Sequence, residues 1–187
     1  MSGWKKKRRV KRRYDLAAHL YDMRYAEEQT AKYEASLESL KTKRLGRVLD
    51  VGCGTGLLFA HIVNRAELVV GLDISKKTLL KAKQNTTSFP NVRLVQADCD
   101  WLPFKTEVFD HVFAVTLIQN VPKPVDTLNE IKLVTSKKAV VVVTGLKKIF
   151  QLKRFKKLLH DVGLNVEVIK DEDNLKCYVA ICAKMNH

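Results

Sequence analysis

The residues best suited to bind a ligand lie where an apolar stretch meets a run of glycines. Arg47 to Val51 reads as a buried strand that continues into the turn Gly52-Cys53-Gly54-Thr55-Gly56. A glycine backbone has no Cβ atoms, so a ligand can approach it closely, and ligands of open α/β sheets bind at the carboxyl ends of strands. The glycine turn, with Asp50 just before it, is therefore the first candidate binding site.

A carboxylate at a suitable distance indicates that the ligand is a nucleoside. Asp73 lies 21 residues after Gly52, at the end of the next apolar stretch, where its carboxylate can accept both hydroxyls of a ribose. The turn has the spacing GxGxG and lacks the sixth-position glycine of dinucleotide sites, which disfavours NAD and FAD. A P-loop is excluded because no GK[ST] follows.

The elements that must position these residues alternate between strand and helix patterns. Strands are predicted at 47–51, 68–72, 92–96, 111–117, 139–144, 165–169 and 177–183, and helices at 57–64, 76–85, 124–134 and 147–160, after two short helices between about 15 and 41. Parallel neighbours need crossover helices, so this order predicts an α/β fold with helices on both faces of a sheet. The last two strands are close enough in sequence to pair antiparallel.

Several motifs resemble those of a known family. Val48-Leu49-Asp50-Val51-Gly52-Cys53-Gly54-Thr55-Gly56 resembles the first motif of class I S-adenosylmethionine-dependent methyltransferases. The segment 98–104 (Asp-Cys-Asp-Trp-Leu-Pro-Phe), followed by Phe109-Asp110, is similar to the adenine-contacting segment of that family. The resemblance covers about three quarters of the chain and is closest to the subgroup that includes quinone-biosynthesis methyltransferases. It implies a Rossmann-like, doubly wound sheet of seven mostly parallel strands with a final antiparallel strand, and S-adenosylmethionine as the cofactor.

The resemblance also implies roles for individual residues. The methionine portion of the cofactor would be held by Asp50, Gly52, Cys53, Gly54, Thr55 and Gly56, the ribose by Asp73 beside Ile74, and the adenine by Asp98 and the backbone amide of Cys99. Tyr14, Tyr21 and Tyr25 precede the core, as similar tyrosines do in relatives whose N-terminal helices close over the cofactor; core packing is their alternative role. Residues 14–45 are thus expected to cover the site and 46–187 to form the catalytic core. Where relatives often carry a Pro-Gly-Gly turn before the fifth strand, this chain has 135–138, so the end of the sheet away from the ligand is expected to be rebuilt.

The segment Asn120-Val121-Pro122 gives candidate catalytic residues. It resembles the Asn-Leu-Pro or Asn-Pro-Pro core of methyltransferases that modify exocyclic base amines, here cytosine N4 or adenine N6. Such an amine has its lone pair delocalised into the ring, so an Asn oxygen and a backbone carbonyl must accept its N–H groups to free that pair for in-line attack. Those enzymes usually follow with a Tyr or Phe that stacks on the base, whereas this chain has Lys123. A variant of the corresponding loop of small-molecule methyltransferases is the alternative.

Charge is concentrated at the amino terminus. The chain carries 34 Lys and Arg against 20 Asp and Glu, and eight of these cations lie from Lys5 to Arg13, before the first acid at Asp15. Like charges repel, so residues 1–13 are predicted to be a flexible arm that meets phosphates and whose removal spares cofactor affinity. Together with Lys153 to Lys157, this arm favours RNA, either rRNA or tRNA, as the substrate. The alternative for the arm is a solvated or lipid-binding tail. The alternatives for the whole chain are a methyltransferase of a quinone or metabolite, a protein or tRNA methyltransferase that needs a small zinc-binding activator, and a binding subunit with a vestigial cofactor pocket.

The cysteines and the hydropathy pattern limit other classes. The four cysteines form no CxxC pair and have no His at ligand spacing, so no metal is expected. Cys177 and Cys182 have an odd separation, which places them on opposite faces of a strand. No apolar run approaches the ~20 residues of a membrane span and no signal peptide is recognisable, so the expected location is cytoplasmic.

Overall fold

Seven strands form one sheet, and helices cover both of its faces. The computed structural model describes residues 3–17 and 21–185, without the side chains of residues 17 and 21–24. The elements in chain order are α1 (Gly3–Ala17), α2 (Tyr21–Glu38), β1 (Gly46–Val51), α3 (Phe59–Ile62), β2 (Ala66–Asp73), α4 (Lys76–Asn85), β3 (Val92–Gln96), β4 (Phe109–Ala114), α5 (Pro124–Val134), β5 (Thr135–Leu146), α6 (Leu152–Asp161), β6 (Leu164–Lys170) and β7 (Cys177–Lys184). No helix in the described ranges is long and apolar enough to cross a membrane.

The strand order places the candidate residues at one edge of the sheet. The order is β3-β2-β1-β4-β5-β7-β6, and β1 to β5 pair in parallel, whereas β7 is antiparallel to both β5 and β6. The predicted fold class is therefore confirmed. Because β1, β2 and β4 point the same way, the segments that follow them meet at their common carboxyl edge.

Side-chain alternation along the strands builds one apolar cluster on each face. Leu49 of β1 packs in a cluster with Leu128 of α5 and Phe155 of α6, while its neighbour Val48 packs in the opposite cluster with Phe59 of α3. This is the burial on both faces that continuous apolar strands predict. Cys177 and Cys182 likewise belong to opposite clusters, as their spacing predicts.

The amino-terminal segment differs from the prediction. Residues 3–13 of the expected flexible arm are helical, and α1 runs across the boundary expected at residue 13. The prediction considered only repulsion among the cations. In the folded chain, Lys7 pairs with Asp98 and Asp100, far away in sequence, and these carboxylates offset part of that repulsion.

Other boundaries also differ from the prediction. The strand expected at 139–144 is longer, because β5 begins at Thr135, directly after α5, and pairs there with β4. The helix expected over 57–64 is the four-residue α3, flanked by turns. The helix expected from residue 147 begins at Leu152, since Phe150 closes a turn back onto Leu146.

Candidate cofactor and acceptor site

The glycine turn after β1 forms an open cradle. Gly52, Gly54 and Gly56 have φ angles of +78°, +55° and +79°, a region that side chains rarely adopt. The backbone N–H groups of Gly52 and Cys53 both donate to the carbonyl of Leu72, at 2.7 and 3.0 Å, which fixes the turn against β2. A Cβ atom on Gly54 would meet nothing within 4 Å, so a ligand has room at this point.

Asp73, the last residue of β2, is held in a defined orientation at the pocket wall. One of its carboxylate oxygens accepts the Gly54 N–H at 3.0 Å, and the other accepts the Ser75 N–H at 2.7 Å. Burial raises the pKa of Asp73, although these amide hydrogen bonds oppose the shift. Each carboxylate oxygen has two lone pairs, so both can still accept a ribose hydroxyl. Ile74, the next residue, also lines the pocket.

Asp50 lies behind the turn and does not line the pocket. Its side chain is buried in β1, and burial together with the nearby Asp73 raises the pKa of the Asp50 carboxyl to about 8. Gly56, also predicted to bind the cofactor, turns the chain toward α3 and likewise does not line the pocket, whereas Gly52, Cys53, Gly54 and Thr55 do.

The segment after β3 brings two acids to the pocket, and α1 brings a cation to them. The Lys7 ammonium lies 2.7 and 2.6 Å from the two Asp98 oxygens and 2.5 Å from Asp100. Burial disfavours the charged ammonium, but the two carboxylates outweigh it and raise the pKa of Lys7. Burial also raises the pKa of the Cys99 thiol to about 12, so this pocket residue is no thiolate nucleophile.

Helix α1 forms one wall of the pocket. The sequence predicted that residues 14–45 would cover the site but did not predict this contribution from the basic run. Lys7, Val10, Lys11 and Tyr14 all line the pocket. At the far end of α1, the Asp15 carboxylate accepts hydrogen bonds from Lys11 and from the hydroxyl of Ser75. The spacing of the lining residues is helical, and this was the signal within the basic run that could have identified them.

Asn120 lies at the mouth of the pocket with its side-chain amide fully engaged. Its NH2 group donates to the carbonyl of Thr116 at 2.7 Å and to the Tyr14 hydroxyl at 3.2 Å. Its oxygen accepts the Arg13 guanidinium at 2.9 Å. The carbonyl of the next residue, Val121, accepts the Lys6 ammonium. The two oxygens that an amine substrate would need are therefore each paired with a cation of α1.

The loop that carries Asn120 is braced at Thr116. This β-branched residue has a φ of +58°, and its N–H donates to the Thr144 hydroxyl at 2.7 Å. Its own hydroxyl donates to Gln29 of α2, which lines the pocket and was not predicted. Pro122 does not line the pocket but lies against Gly3, where an added Cβ would be 3.3 Å from the Pro122 ring.

Of the two α2 tyrosines predicted to contact the cofactor, the structure describes the side chain of Tyr25, which lies away from the pocket. Tyr25 is 41% exposed and does not line the pocket, and the side chain of Tyr21 lies outside the described residues. Tyr14 and Tyr33 line the pocket instead. Burial raises the pKa of Tyr14, which keeps its phenol neutral.

Fold and pocket together define a Rossmann-like domain built for a nucleoside cofactor. Residues 49–143, just over half of the chain, match the model of the methyltransferase domain family, and the chain belongs to this family. It is 32% identical to a malonyl-[acyl-carrier protein] O-methyltransferase of Marinomonas over 142 residues, which are 75% of this chain and 52% of that protein. It is 33% identical to a demethylmenaquinone methyltransferase of Staphylococcus carnosus over 101 residues, 52% of this chain and 42% of that protein. The chain thus spans about half the length of these curated relatives.

Solved structures share the fold at low sequence identity. One described as a DhpI–SAH complex superposes with a TM-score of 0.80 at 21% identity, covering 97% of this chain and 98% of that one. A methyltransferase from a complex with the Haloferax volcanii Trm112 activator gives 0.79 at 14% identity, covering 92% and 98%.

S-adenosylmethionine is the cofactor of this family, and the pocket residues fit it. The glycine cradle is open at Gly54, Asp73 presents two acceptor oxygens for the ribose, and Asp98 presents acceptors for the adenine amine. The cofactor supplies an activated methyl group on a sulfonium, whose positive charge is compatible with the pocket acids Asp73 and Asp98. The seven-stranded fold and a cofactor-competent pocket make this chain a methyltransferase domain.

Proposed function

We propose that the chain transfers the methyl group of S-adenosylmethionine to an exocyclic amine of an RNA base. The observation that carries this proposal is the outer face of α1. Lys5, Arg8, Arg9 and Arg12 are exposed there, and no side-chain hydrogen bond or ion pair engages them within the described part of the chain. A row of free cations on the helix that covers the cofactor draws a polyanion to the mouth of the pocket.

A second cationic surface extends the proposed RNA path. Lys153, Arg154 and Lys156 are exposed on α6, whereas Lys157 is paired with Asp161. Helix α6 follows the carboxyl end of β5, which is parallel to β4, so it begins on the same edge of the sheet as Asn120. A polyanion that contacts α1 therefore finds further cations on that edge.

The acceptor chemistry assigns roles to Asn120 and Val121. The oxygen of Asn120 and the carbonyl of Val121 accept the two N–H groups of the base amine in place of Arg13 and Lys6, which turn to the phosphates. Accepting both N–H groups localises the nitrogen lone pair, which then attacks the methyl carbon as the carbon–sulfur bond breaks. The proton leaves the product nitrogen for water. Pro122 restricts the backbone at this point, because its ring fixes φ.

Trp101 is the residue proposed to stack on the base, because Lys123, at the position where related enzymes have an aromatic residue, has no ring. The Trp101 side chain is 78% exposed and follows Asp100, whose carboxylate pairs with Lys7 of the pocket wall. Phe104 is unsuited to this role because its ring packs edge-on against Phe109, with centroids 5.1 Å apart. Stacking of a base on an exposed indole is worth about 1–3 kcal/mol.

A small apolar acceptor is the second candidate. Val10, Leu117 and Val121 give the pocket an apolar wall, which suits a quinone-like or acyl substrate such as those named for the relatives. A protein activator is the partner of one structural neighbour. In this chain β3 is an edge strand to which such a partner could add, but its Arg93 and Gln96 are exposed and polar.

The substrate class is tested by following labelled methyl groups. The chain is incubated with S-adenosylmethionine labelled in the methyl group and with purified total RNA, a lipid and quinone extract, or total protein. The proposal expects label in RNA, and none with Asp73→Ala as a control for cofactor binding. Label in the quinone fraction, or in acyl groups attached to carrier protein, would favour the second candidate, and label on protein side chains would contradict both.

The role of Asn120 is tested by a pair of substitutions. Asn120→Ala should bind S-adenosylhomocysteine and RNA yet lose turnover about a hundredfold, the scale of removing one preorganised contact to the reacting group. Asn120→Asp keeps an acceptor oxygen and should retain partial activity. Full activity of Asn120→Ala would reject the amine role and leave the cofactor site intact.

A further inference from the structure

Helix α1 has two faces with different tasks. Lys7, Val10 and Tyr14 lie at helical spacing on the inner face and line the cofactor pocket. The exposed outer face is formed by four other cations at helical spacing, Lys5, Arg8, Arg9 and Arg12. We call this outer face the cationic row. A ligand on either face therefore acts on the same fifteen-residue helix.

The cationic row opposes the folding of α1. Its members stand three or four residues apart, where like charges destabilise a helix, and short helices are marginal without tertiary contacts. The inner face compensates through Lys7, which pairs with Asp98 and Asp100, and through the contact of Asp15 with Ser75. On the outer face no acid of the described chain compensates the row. An anion bound there would remove a repulsion that the fold leaves in place.

We infer that a polyanion on the cationic row and the cofactor under α1 bind cooperatively. Each ligand favours the helix docked over the pocket, so each raises the affinity for the other, and this coupling is reciprocal by thermodynamic necessity. The inference rests on the proposed function in taking single-stranded RNA as the polyanion, but it does not depend on the acceptor amine. Through this coupling, bound RNA would strengthen the binding of the cofactor.

The row fits a nucleic acid better than a membrane surface. An interfacial helix needs a continuous apolar face, and on the outside of α1 the large apolar side chains are Trp4 and Leu16, at opposite ends of the helix. The apolar residue of the inner face, Val10, is taken up by the pocket. Between the two ends stand only cations, which suits a chain of phosphates.

The test measures the affinity of the full chain for S-adenosylhomocysteine by calorimetry, with and without a saturating oligouridylate of about 20 nucleotides, at low salt. Uracil has no exocyclic amine and S-adenosylhomocysteine has no methyl to transfer, so the measurement is independent of catalysis. The oligomer should tighten binding by at least about fivefold, the lower end for coupled sites. High salt should abolish this gain.

Two triple variants with the same loss of charge locate the effect. Arg8→Gln/Arg9→Gln/Arg12→Gln removes most of the repulsion itself, so it should bind S-adenosylhomocysteine alone at least as tightly as the unaltered chain and show no gain with the oligomer. Lys153→Gln/Arg154→Gln/Lys156→Gln, on α6, should keep the gain. An unchanged affinity with bound oligomer, a gain that survives in the α1 variant, or a gain with anionic lipid vesicles in place of the oligomer would overturn the inference. Failure of RNA methylation alone would count against the proposed function and leave this coupling standing.

Discussion

At the residue scale, the cofactor site depends on two carboxyl groups with different tasks. Asp73 reaches the pocket with both oxygens, each already oriented by a backbone amide, whereas Asp50 is buried behind the turn. The sequence predicted a binding role for both, and of the two Asp73 lines the pocket. It did not predict Lys7, Lys11 or Gln29: helical spacing indicates that Lys7 and Lys11 share one face of a helix, but what that face covers depends on how the N-terminal helices dock.

Substitution of Asp73 should weaken cofactor binding, and the loss should depend on how many acceptor oxygens the new side chain keeps. Asp73→Ala removes two charge-assisted acceptors and should lose about 2–4 kcal/mol of binding free energy, since such bonds contribute about 1.5–3 kcal/mol each and do not add fully. Asp73→Asn keeps one acceptor and should fall between. Calorimetry with S-adenosylhomocysteine measures both, with thermal unfolding as a control for the fold. Unchanged affinity in a folded Asp73→Ala chain would refute the ribose role.

The raised pKa of Asp50, about 8, predicts a pH dependence of binding. The cationic methionine end of S-adenosylmethionine favours the ionised form of Asp50, so binding should release a proton from this carboxyl. The affinity for the cofactor should therefore rise between pH 6 and 7.5 by up to about tenfold per pH unit. Asp50→Asn should flatten this rise.

The same carboxyl should affect stability with the opposite sign. Its pKa is raised in the folded chain, so the folded state holds the proton more tightly than the unfolded state does. The stability of the cofactor-free chain should therefore fall as pH increases from about 4 to 8. Thermal unfolding measured against pH should show a steeper decline than in Asp50→Asn, and equal slopes would contradict the assignment.

At the scale of elements, the strands were predictable from the sequence, whereas helix α1, which covers the pocket, was not. β3 and α5 have the predicted bounds because apolar runs and a proline at the start of α5 mark them in the local sequence. Helix α1 reads locally as a self-repelling arm, and its helical state depends on Asp98 and Asp100 about ninety residues away. The early start of β5 similarly depends on the pairing of Thr135 with Phe109.

Deletion of residues 1–13 tests whether this segment is a flexible arm or a helix that helps to hold the cofactor. Loss of Lys7, Val10 and Lys11 from the pocket wall should weaken S-adenosylhomocysteine binding about tenfold, the equivalent of one buried side chain. RNA binding should weaken as well, with a flatter dependence on salt. Calorimetry on the truncated and full chains makes the comparison. Equal affinity would favour the arm that the sequence predicts.

Contact between β2 and the glycine turn allows a stability test. A Cβ on Gly71 would lie 2.4 Å from the ring of the fully buried Phe59 and 2.9 Å from the Cys53 sulfur. Gly71→Ala should therefore cost about 1–3 kcal/mol of unfolding free energy through overpacking. Phe59→Leu introduced into the same chain should recover part of this loss, and a double-mutant cycle from denaturant titrations would measure the coupling. Additive effects would contradict a direct clash.

At the scale of the whole molecule, charge is distributed according to the proposed task. The chain has a formal net charge of +14, yet Asp73 and Asp98 line the cofactor pocket beneath a cationic helix, and Asp50 is buried behind the glycine turn. Long-range attraction therefore brings a polyanion to the outside of α1 while the acids below it suit a cationic sulfonium. Such a separation of charge across one helix would suit the proposed methyl transfer to RNA.

The most direct test of this account is the identity of the methylated nucleoside. RNA is treated with the chain and with S-adenosylmethionine carrying a deuterated methyl group, then digested to nucleosides and analysed by mass spectrometry with fragmentation. The account predicts the deuterated methyl on the base of cytidine, at N4, or of adenosine, at N6, and its loss in Asn120→Ala. A deuterated ribose 2′-O-methyl, a carbon-methylated base, or no labelled nucleoside at all would contradict it.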